Sequence, residues 1–104
     1  MLKNPPDGDW LHWRRTYDGW AYSPLKQINR ENVKNLKVAW VYQMPVTERV
    51  ETTPLVIDGV LYTSTAWSKV YAYDARTGRR LWVFDPEVPG AKGQDACCDV
   101  VNRG

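Results

Sequence analysis

Two adjacent cysteines near the end of the chain have the most distinctive chemistry. Cys97 and Cys98, in the stretch DACCDVVNRG, are the only cysteines among the 104 residues. Consecutive Cα atoms lie about 3.8 Å apart across a trans peptide, whereas ordinary disulfides span roughly 4.4 to 6.8 Å. A bridge between these neighbours would therefore be strained, and two buried free thiols are the ordinary alternative.

Four further side chains are candidates for a site, each with a plainer alternative. Arg103 carries a planar fork of donors suited to carboxylates, but such a residue is also typical of a protein surface. Glu51 precedes a predicted strand and fits a solvated strand end equally well, and Val101 is ordinarily a core residue. His12, the single histidine, lies among Trp and Arg residues. This setting favours aromatic stacking, since one histidine and two adjacent cysteines do not make a zinc site.

Composition indicates a small domain without a nucleic-acid partner or a membrane span. Fourteen basic against twelve acidic residues give a net charge of +2, with no basic block that would follow a phosphate backbone. Six Trp and six Tyr against a single Phe favour rings with a polar atom. No apolar run approaches the roughly 20 residues of a membrane span, and the first residues lack a signal-peptide pattern. We interpret the chain as a mature start or an excised piece.

The first part of the chain, residues 1–35, carries turn and cap signals rather than strand alternation. Asp9 is placed to cap a short helix over residues 10–15. Asn29 is placed to cap a second short helix over residues 30–36, with an acidic residue in its first turn. We expect both helices to be peripheral.

Strand patterns begin at residue 36. Residues 36–44, LKVAWVYQM, alternate in the manner of a strand. Residues 51–85 predict one four-stranded antiparallel meander, because Asp58-Gly59 between apolar runs is a strong hairpin signal and a second turn falls at residues 67–69. A third turn runs from 74 to 78, with an aspartate to accept turn amides and a glycine to take a positive φ.

The predicted strand over residues 36–44 has no partner in this meander. A lone meander has exposed edges and too little core to be stable. In a β-propeller each blade is one such meander, and a strand from one end of the chain completes the blade formed at the other end. We therefore predict an all-β fold, a β-propeller segment with one complete four-stranded blade, a closing strand of the last blade and short N-terminal helices. Its parts are a helical and turn segment (1–35), the closing strand (36–44), the first blade (51–85) and a loop with the cysteine pair leading into the second blade (86–104).

Several stretches resemble one family. AYDARTGRRLW, residues 72–82, is similar to the tryptophan-docking signature A-x-D-x-x-T-G-x-x-x-W of the eight-bladed quinoprotein dehydrogenases. YSPLKQINRENVKNLKVAW, VETTP and ACCDVVNRG resemble the same family in the same order. The cysteine pair followed by Asp-x-x-Asn-Arg-Gly resembles the cofactor-facing loop of alcohol dehydrogenases that use pyrroloquinoline quinone (PQQ). The likeness is closer to soluble enzymes with a fused haem domain than to membrane glucose dehydrogenases, which lack the pair.

The resemblance implies a role for five residues in binding PQQ. Cys97 and Cys98 would form a vicinal disulfide that lies flat on one face of the quinone. Arg103 would pair with a cofactor carboxylate, and Glu51 would orient that arginine or share a proton with the cofactor. Val101 would pack beside the quinone. Because a strained disulfide has a relatively oxidising potential, its survival implies an oxidising compartment, and we expect the periplasm.

The resemblance also implies an oxidoreductase that oxidises small alcohols to aldehydes by hydride transfer to PQQ. In such enzymes calcium or a lanthanide, haem c in one type, and an electron acceptor such as a cytochrome c complete the system. The catalytic aspartate and metal ligands come from later blades, so we predict no catalytic or metal-binding residue here and no turnover by the isolated chain. Its main partner would be the remaining blades. The alternatives are a non-catalytic propeller scaffold or binding protein, and a self-contained small protein that swaps strands between copies.

Overall fold

The described part of the chain folds around one antiparallel sheet. The computed structural model describes residues 4–91. The strands are β1 (Leu55–Ile57), β2 (Val60–Ser64), β3 (Val70–Asp74) and β4 (Arg80–Phe84). They lie in the order β1-β2-β3-β4, so the predicted all-β meander between residues 51 and 85 is confirmed. No helix among residues 4–91 is long and apolar enough to cross a membrane.

The first two turns of the meander follow from their residue types. Asp58 and Gly59 between β1 and β2 have φ values of 48° and 76°, the two positive values that a two-residue Asp-Gly hairpin requires. Between β2 and β3 lies a single 3-10 turn, Ala66–Ser68, whose last two residues have φ of 63° and 56°. Both turns lie where the sequence predicts them.

The third turn, between β3 and β4, is held by Asp74. Its Oδ1 accepts the amide N–H groups of Arg76 at 2.9 Å and Thr77 at 3.0 Å, and Gly78 follows with φ of +74°. The Thr77 and Arg76 amides lower the pKa of Asp74, because they stabilise the charged carboxylate. The turn is therefore formed as the sequence predicts.

The core is concentrated in the middle of the sheet. On β3, Tyr71, Ala72 and Tyr73 are buried, as are Thr63 and Ser64 at the end of β2. Every residue of β4 is exposed, although four of its five residues are apolar or aromatic. Backbone pairing in the blade is thus complete while the burial of its outer strand is not.

The predicted helix over residues 10–15 is wrong. Trp10 instead pairs with Val56 of β1 as an isolated antiparallel bridge, with N–H to O distances of 2.7 and 2.9 Å in the two directions, and bends and turns follow. The buried Asp9 carboxylate accepts the Asp58 amide N–H at 3.0 Å, so it is occupied across the sheet and does not cap a helical turn.

The second predicted helix is reduced to one 3-10 turn, Val33–Asn35. Asn29 does act as a local acceptor, since its Oδ1 receives the amides of Glu31 and Asn32, both at 3.0 Å. The turn contains no buried residue. Without an apolar face to bury, one helical turn has little to stabilise its extension.

Residues 36–44 are not paired as a strand within the described part of the chain. Strand geometry is stable only when its backbone groups find a neighbouring strand, and this segment pairs with neither of the edge strands β1 and β4. It contacts the sheet through side chains, as described next. The prediction that this segment is the closing strand of another blade is not tested by its lack of a partner here, and it stays a prediction.

Candidate functional site

Glu51 is the one predicted site residue within the described part of the chain; Cys97, Cys98, Val101 and Arg103 lie outside it. The Glu51 side chain is 38% exposed, and its Oε1 lies 3.6 Å from Nη1 of Arg49, which is 77% exposed. An ion pair this open to water contributes about 0 to 1 kcal/mol. The carboxylate is accordingly accessible to a ligand at the start of the blade.

A pair of hydroxyls fixes the segment that follows Glu51. Thr52 Oγ1 lies 3.1 Å from Ser64 Oγ, and the Ser64 amide donates to Thr52 Oγ1 at 3.4 Å. The backbone ladder between β1 and β2 ends at Leu55 and Tyr62, so these side chains extend the contact beyond the last paired residues. The sequence does not predict this pair, and the two threonines of VETTP are the local signal it offers.

A cavity of about 400 Å³ adjoins this end of the sheet, between residues 11–13 and the ends of β1 and β2. Thr52 and Ser64 are part of its lining, together with His12 and Thr63. His12 Nδ1 and Thr63 Oγ1 are buried and have no hydrogen-bond partner among residues 4–91. Within the same residues there is no cluster of three or more metal-ligating side chains.

His12 takes the aromatic role that the sequence favours. Its ring centroid lies 6.4 Å from that of Trp13 at an interplanar angle of 57°, within the usual range for tilted aromatic pairs. The Arg14 guanidinium carbon lies 4.7 Å above the Trp13 ring. This group therefore packs a cation and two rings together beside the cavity.

Trp40 is the main contact between residues 36–44 and the blade. Its Nε1–H donates to the carbonyl oxygen of Ala75 at 3.0 Å. The ring lies directly against Gly78, since a Cβ at that glycine would be only 2.5 Å from Trp40 Cδ2. The Asp74–Gly78 turn thus binds the indole of a residue that lies 35 positions before Ala75 in the sequence. The local pattern of the turn alone does not predict this contact.

Three tyrosines continue this contact along the same face of the sheet. The Tyr42 ring lies 4.6 Å from Tyr73, which stacks at 6.0 Å on Tyr71. Burial, with a smaller effect of the neighbouring Tyr42 hydroxyl, raises the pKa of Tyr73 to about 12. Tyr73 therefore stays neutral and serves packing rather than proton transfer near neutral pH.

Comparison with known proteins decides the family. The model of the family described as "PQQ: Glucose/ethanol/alcohol dehydrogenase, beta-propeller domain" matches residues 10–104. The chain belongs to this family. The resemblance drawn from the docking signature and the cysteine loop is thereby confirmed, as is the propeller class of the four-stranded sheet.

Relatives of this PQQ-family chain are much longer than it is. It is 54% identical over 97 residues to the "Alcohol dehydrogenase (quinone), dehydrogenase subunit" of Gluconacetobacter polyoxogenes, covering 93% of this chain and 13% of that protein. It is 50% identical over 97 residues to the "1-butanol dehydrogenase (cytochrome c)" of Thauera butanivorans, covering 93% and 14%. The chain therefore spans about one seventh of the length of these relatives.

Solved structures share both its sequence and its fold. The quinohemoprotein alcohol dehydrogenase ADHIIG of Pseudomonas putida HK5 superposes with a TM-score of 0.86 at 50% identity, covering 94% of this chain and 14% of that one. A europium-containing methanol dehydrogenase superposes with a TM-score of 0.80 at 34% identity, covering 95% and 18%. The blade and its flanking segments thus correspond to one part of a larger propeller.

Proposed function

We propose that this chain is the N-terminal part of a PQQ-dependent alcohol dehydrogenase, which oxidises small alcohols to aldehydes by hydride transfer to the quinone. The observation that carries the proposal is the family match over residues 10–104, together with 50% or higher identity to alcohol dehydrogenases. In this assignment the chain supplies one wall of the cofactor pocket. The rest of the pocket comes from the remaining blades.

The accessible end of the blade fits a planar, polyanionic quinone. Glu51 is held half-exposed beside a guanidinium rather than buried in the core, so it can share a proton with a cofactor carboxylate or orient a second arginine. We assign that arginine to Arg103. We further propose that Cys97 and Cys98 form a vicinal disulfide against one face of the ring, with Val101 packed beside it. When bound, the quinone supplies hydride acceptance, and the protein supplies orientation and electrostatics.

The contacts of residues 36–44 support their assignment to the last blade. Tyr42 packs on Tyr73 of β3 and Trp40 packs on the Asp74–Gly78 turn. Side-chain packing of this kind, without edge pairing, is what we expect where neighbouring blades of a propeller meet. The backbone of this segment would then pair with strands from the far end of the full-length chain. Residues 86–104 would lead from the first blade into the second.

The full-length enzyme must supply the remaining chemistry. Calcium or a lanthanide would bind residues of later blades and polarise the quinone carbonyl, and an aspartate there would accept the alcohol proton. A haem c domain and a cytochrome c acceptor belong to the same proposal, as does a periplasmic location that keeps the cysteine pair oxidised. We expect the isolated 104-residue chain to have no turnover.

Quinone titration of the full-length apoenzyme tests this assignment. With calcium present, we expect saturable PQQ binding and alcohol-dependent dye reduction. Glu51→Gln should weaken PQQ binding about tenfold, because it removes the carboxylate that orients the arginine or shares a proton with the cofactor. Glu48→Gln is the matched control, because Glu48 is exposed and accepts a hydrogen bond from Trp67 Nε1 at 3.3 Å; it should leave binding unchanged.

Two outcomes would contradict the proposal. Absence of PQQ binding by the metal-loaded full-length protein would leave only a propeller scaffold or binding protein. Alkylation of both Cys97 and Cys98 in carefully oxidised, unreduced protein would remove the vicinal disulfide while leaving the remainder of the assignment in place.

A further inference from the structure

The segment that carries Glu51 is held to the sheet by side chains rather than by the backbone. The β1–β2 ladder ends at the Leu55 and Tyr62 pair, so residues 51–54 have left the regular hydrogen-bond pattern. At this point the Ser64 amide donates at 3.4 Å to the Thr52 side-chain oxygen. Thr52 Oγ1 thus takes the place that a strand carbonyl would otherwise fill.

A second contact, between the two hydroxyl groups, also attaches Thr52 to Ser64. Thr52 Oγ1 and Ser64 Oγ lie 3.1 Å apart, and Ser64 is buried at the end of β2. Ser64 also lies opposite Val70 of β3 in the sheet register, so it belongs to a well-supported part of the blade. A buried, sheet-anchored serine therefore fixes the residue directly after Glu51.

The ion pair between Glu51 and Arg49 does not fix this segment to the sheet. Arg49 lies on the same segment, two residues away, and most of its side chain is exposed at 77%. A flexible, solvated guanidinium loses side-chain entropy on pairing and contributes little to a fixed geometry. The contacts of Thr52 with Ser64, by contrast, tie the backbone next to Glu51 to the sheet.

We propose that Thr52, acting through Ser64, is a positioning residue that holds the Glu51 carboxylate at the edge of the bound quinone. The inference rests on the proposed function, since it assumes that the site accepts PQQ. A carboxylate presented in the bound geometry costs less ordering when the cofactor arrives. Loss of the Thr52 hydroxyl then weakens quinone binding without touching the quinone itself.

Isosteric replacement in the full-length apoenzyme tests the role of the hydroxyl. Thr52→Val keeps the branched shape and removes the oxygen, and we expect it to weaken PQQ binding about tenfold, the equivalent of one hydrogen bond. Thr52→Ser restores the hydroxyl and should return affinity to within about twofold of wild type. Thr53→Val makes the same chemical change at the exposed neighbour and should have an effect below about twofold.

A double-mutant cycle separates positioning from general support of the fold. If Thr52 acts through Glu51, then Thr52→Val should change PQQ affinity by less than about twofold once Glu51→Gln is present. A purely structural role would weaken binding by the same factor in both backgrounds and would overturn the inference. The midpoint of thermal unfolding, measured on each variant, reports any loss of folded protein separately.

The two proposals fail in different ways. If the wild-type protein does not bind PQQ, the proposed function fails and the positioning role fails with it. If the wild type binds PQQ and Thr52→Val binds equally well, the positioning role alone is rejected and the alcohol dehydrogenase assignment stands.

Discussion

Trp40 and Trp82 differ in how completely the rest of the protein covers their indole rings. The Trp40 indole lies on Gly78 and donates its N–H to Ala75 O at 3.0 Å. Trp82, on β4, contacts Tyr62 at a centroid distance of 5.9 Å but remains 45% exposed. One tryptophan is docked and the other is left open.

The difference follows the two faces of one sheet. Trp82 lies opposite Ala72, whereas the adjacent Tyr73 points to the other face, since successive strand residues alternate. On one face Tyr42 packs on Tyr73. On the other face residues 11–13 approach the β1–β2 side of the sheet, and Trp82 on the outer strand stays exposed. Exposed apolar surface of this kind marks an interaction site. The blade thus has a complete hydrogen-bond ladder, while its outer strand β4 is left exposed.

The largest expected effect on stability concerns Gly78, against which the Trp40 ring packs. Gly78→Ala should lower the free energy of unfolding of the full-length protein by about 2–5 kcal/mol, because it combines strain at positive φ with overpacking against the indole. Gly59→Ala is the matched control: its φ of +76° is similar, but nothing lies within 4 Å of the added Cβ. Urea unfolding measures both, and equal costs would mean that Trp40 does not rest on Gly78.

A smaller effect compares the two tryptophans directly. Trp40→Phe should cost about 1–2 kcal/mol through the lost hydrogen bond to Ala75 and the reduced ring volume. In the full-length protein we expect Trp82→Phe to cost a similar amount, because in the proposed propeller the next blade would cover Trp82. The exposed Trp20 serves as control, with an expected change within about 0.5 kcal/mol. A cost near zero for Trp82→Phe would mean that its face stays open in the whole protein.

The last expected effect is absent at neutral pH, appears only in alkali, and concerns Tyr73 on the face that Tyr42 covers. Burial raises the pKa of Tyr73 to about 12 from a usual 10.0, so the unfolded chain releases this proton at lower pH than the native one. The stabilising contribution is full below the unfolded pKa and is lost as pH rises through the folded value. We expect the temperature at the midpoint of thermal unfolding to decrease as the pH is raised from about 10 to about 12.

Tyr73→Phe should reduce this loss of stability at alkaline pH. It should cost little at neutral pH, because the Tyr73 hydroxyl is buried without a hydrogen-bond partner among the described residues. Tyr17→Phe, at an exposed tyrosine, should leave the profile unchanged. An alkaline loss of equal size in Tyr73→Phe would assign the titration to another group.

The sheet was predictable because its signals are local. Asp58-Gly59 and the Asp74–Gly78 turn each specify their own conformation within a few residues, and the strands between them follow. The helix at residues 10–15 was mispredicted because Asp9 is used by Asp58, a partner 49 positions away. Residues 36–44 alternate like a strand, yet alternation cannot supply the neighbouring strand that the geometry requires.

In the candidate site, too, local motifs were predictable from the sequence and contacts between distant segments were not. Glu51 was identified through the family motif that contains it, and its exposed carboxylate beside Arg49 agrees with a ligand-facing position. Thr52 and Ser64 were missed because their hydroxyls belong to different segments. The register of β1 against β2 brings them together.

The amino-acid sequence by itself determined the turns, the strand order and the family of this chain, because turn chemistry and short motifs act between residues close in sequence. Tertiary structure alone decided which tryptophan is docked, which aspartate is diverted from capping and which two hydroxyls meet beside Glu51. Each of these depends on atoms that meet across the sheet, where small differences in position decide whether a hydrogen bond or a packed contact forms at all.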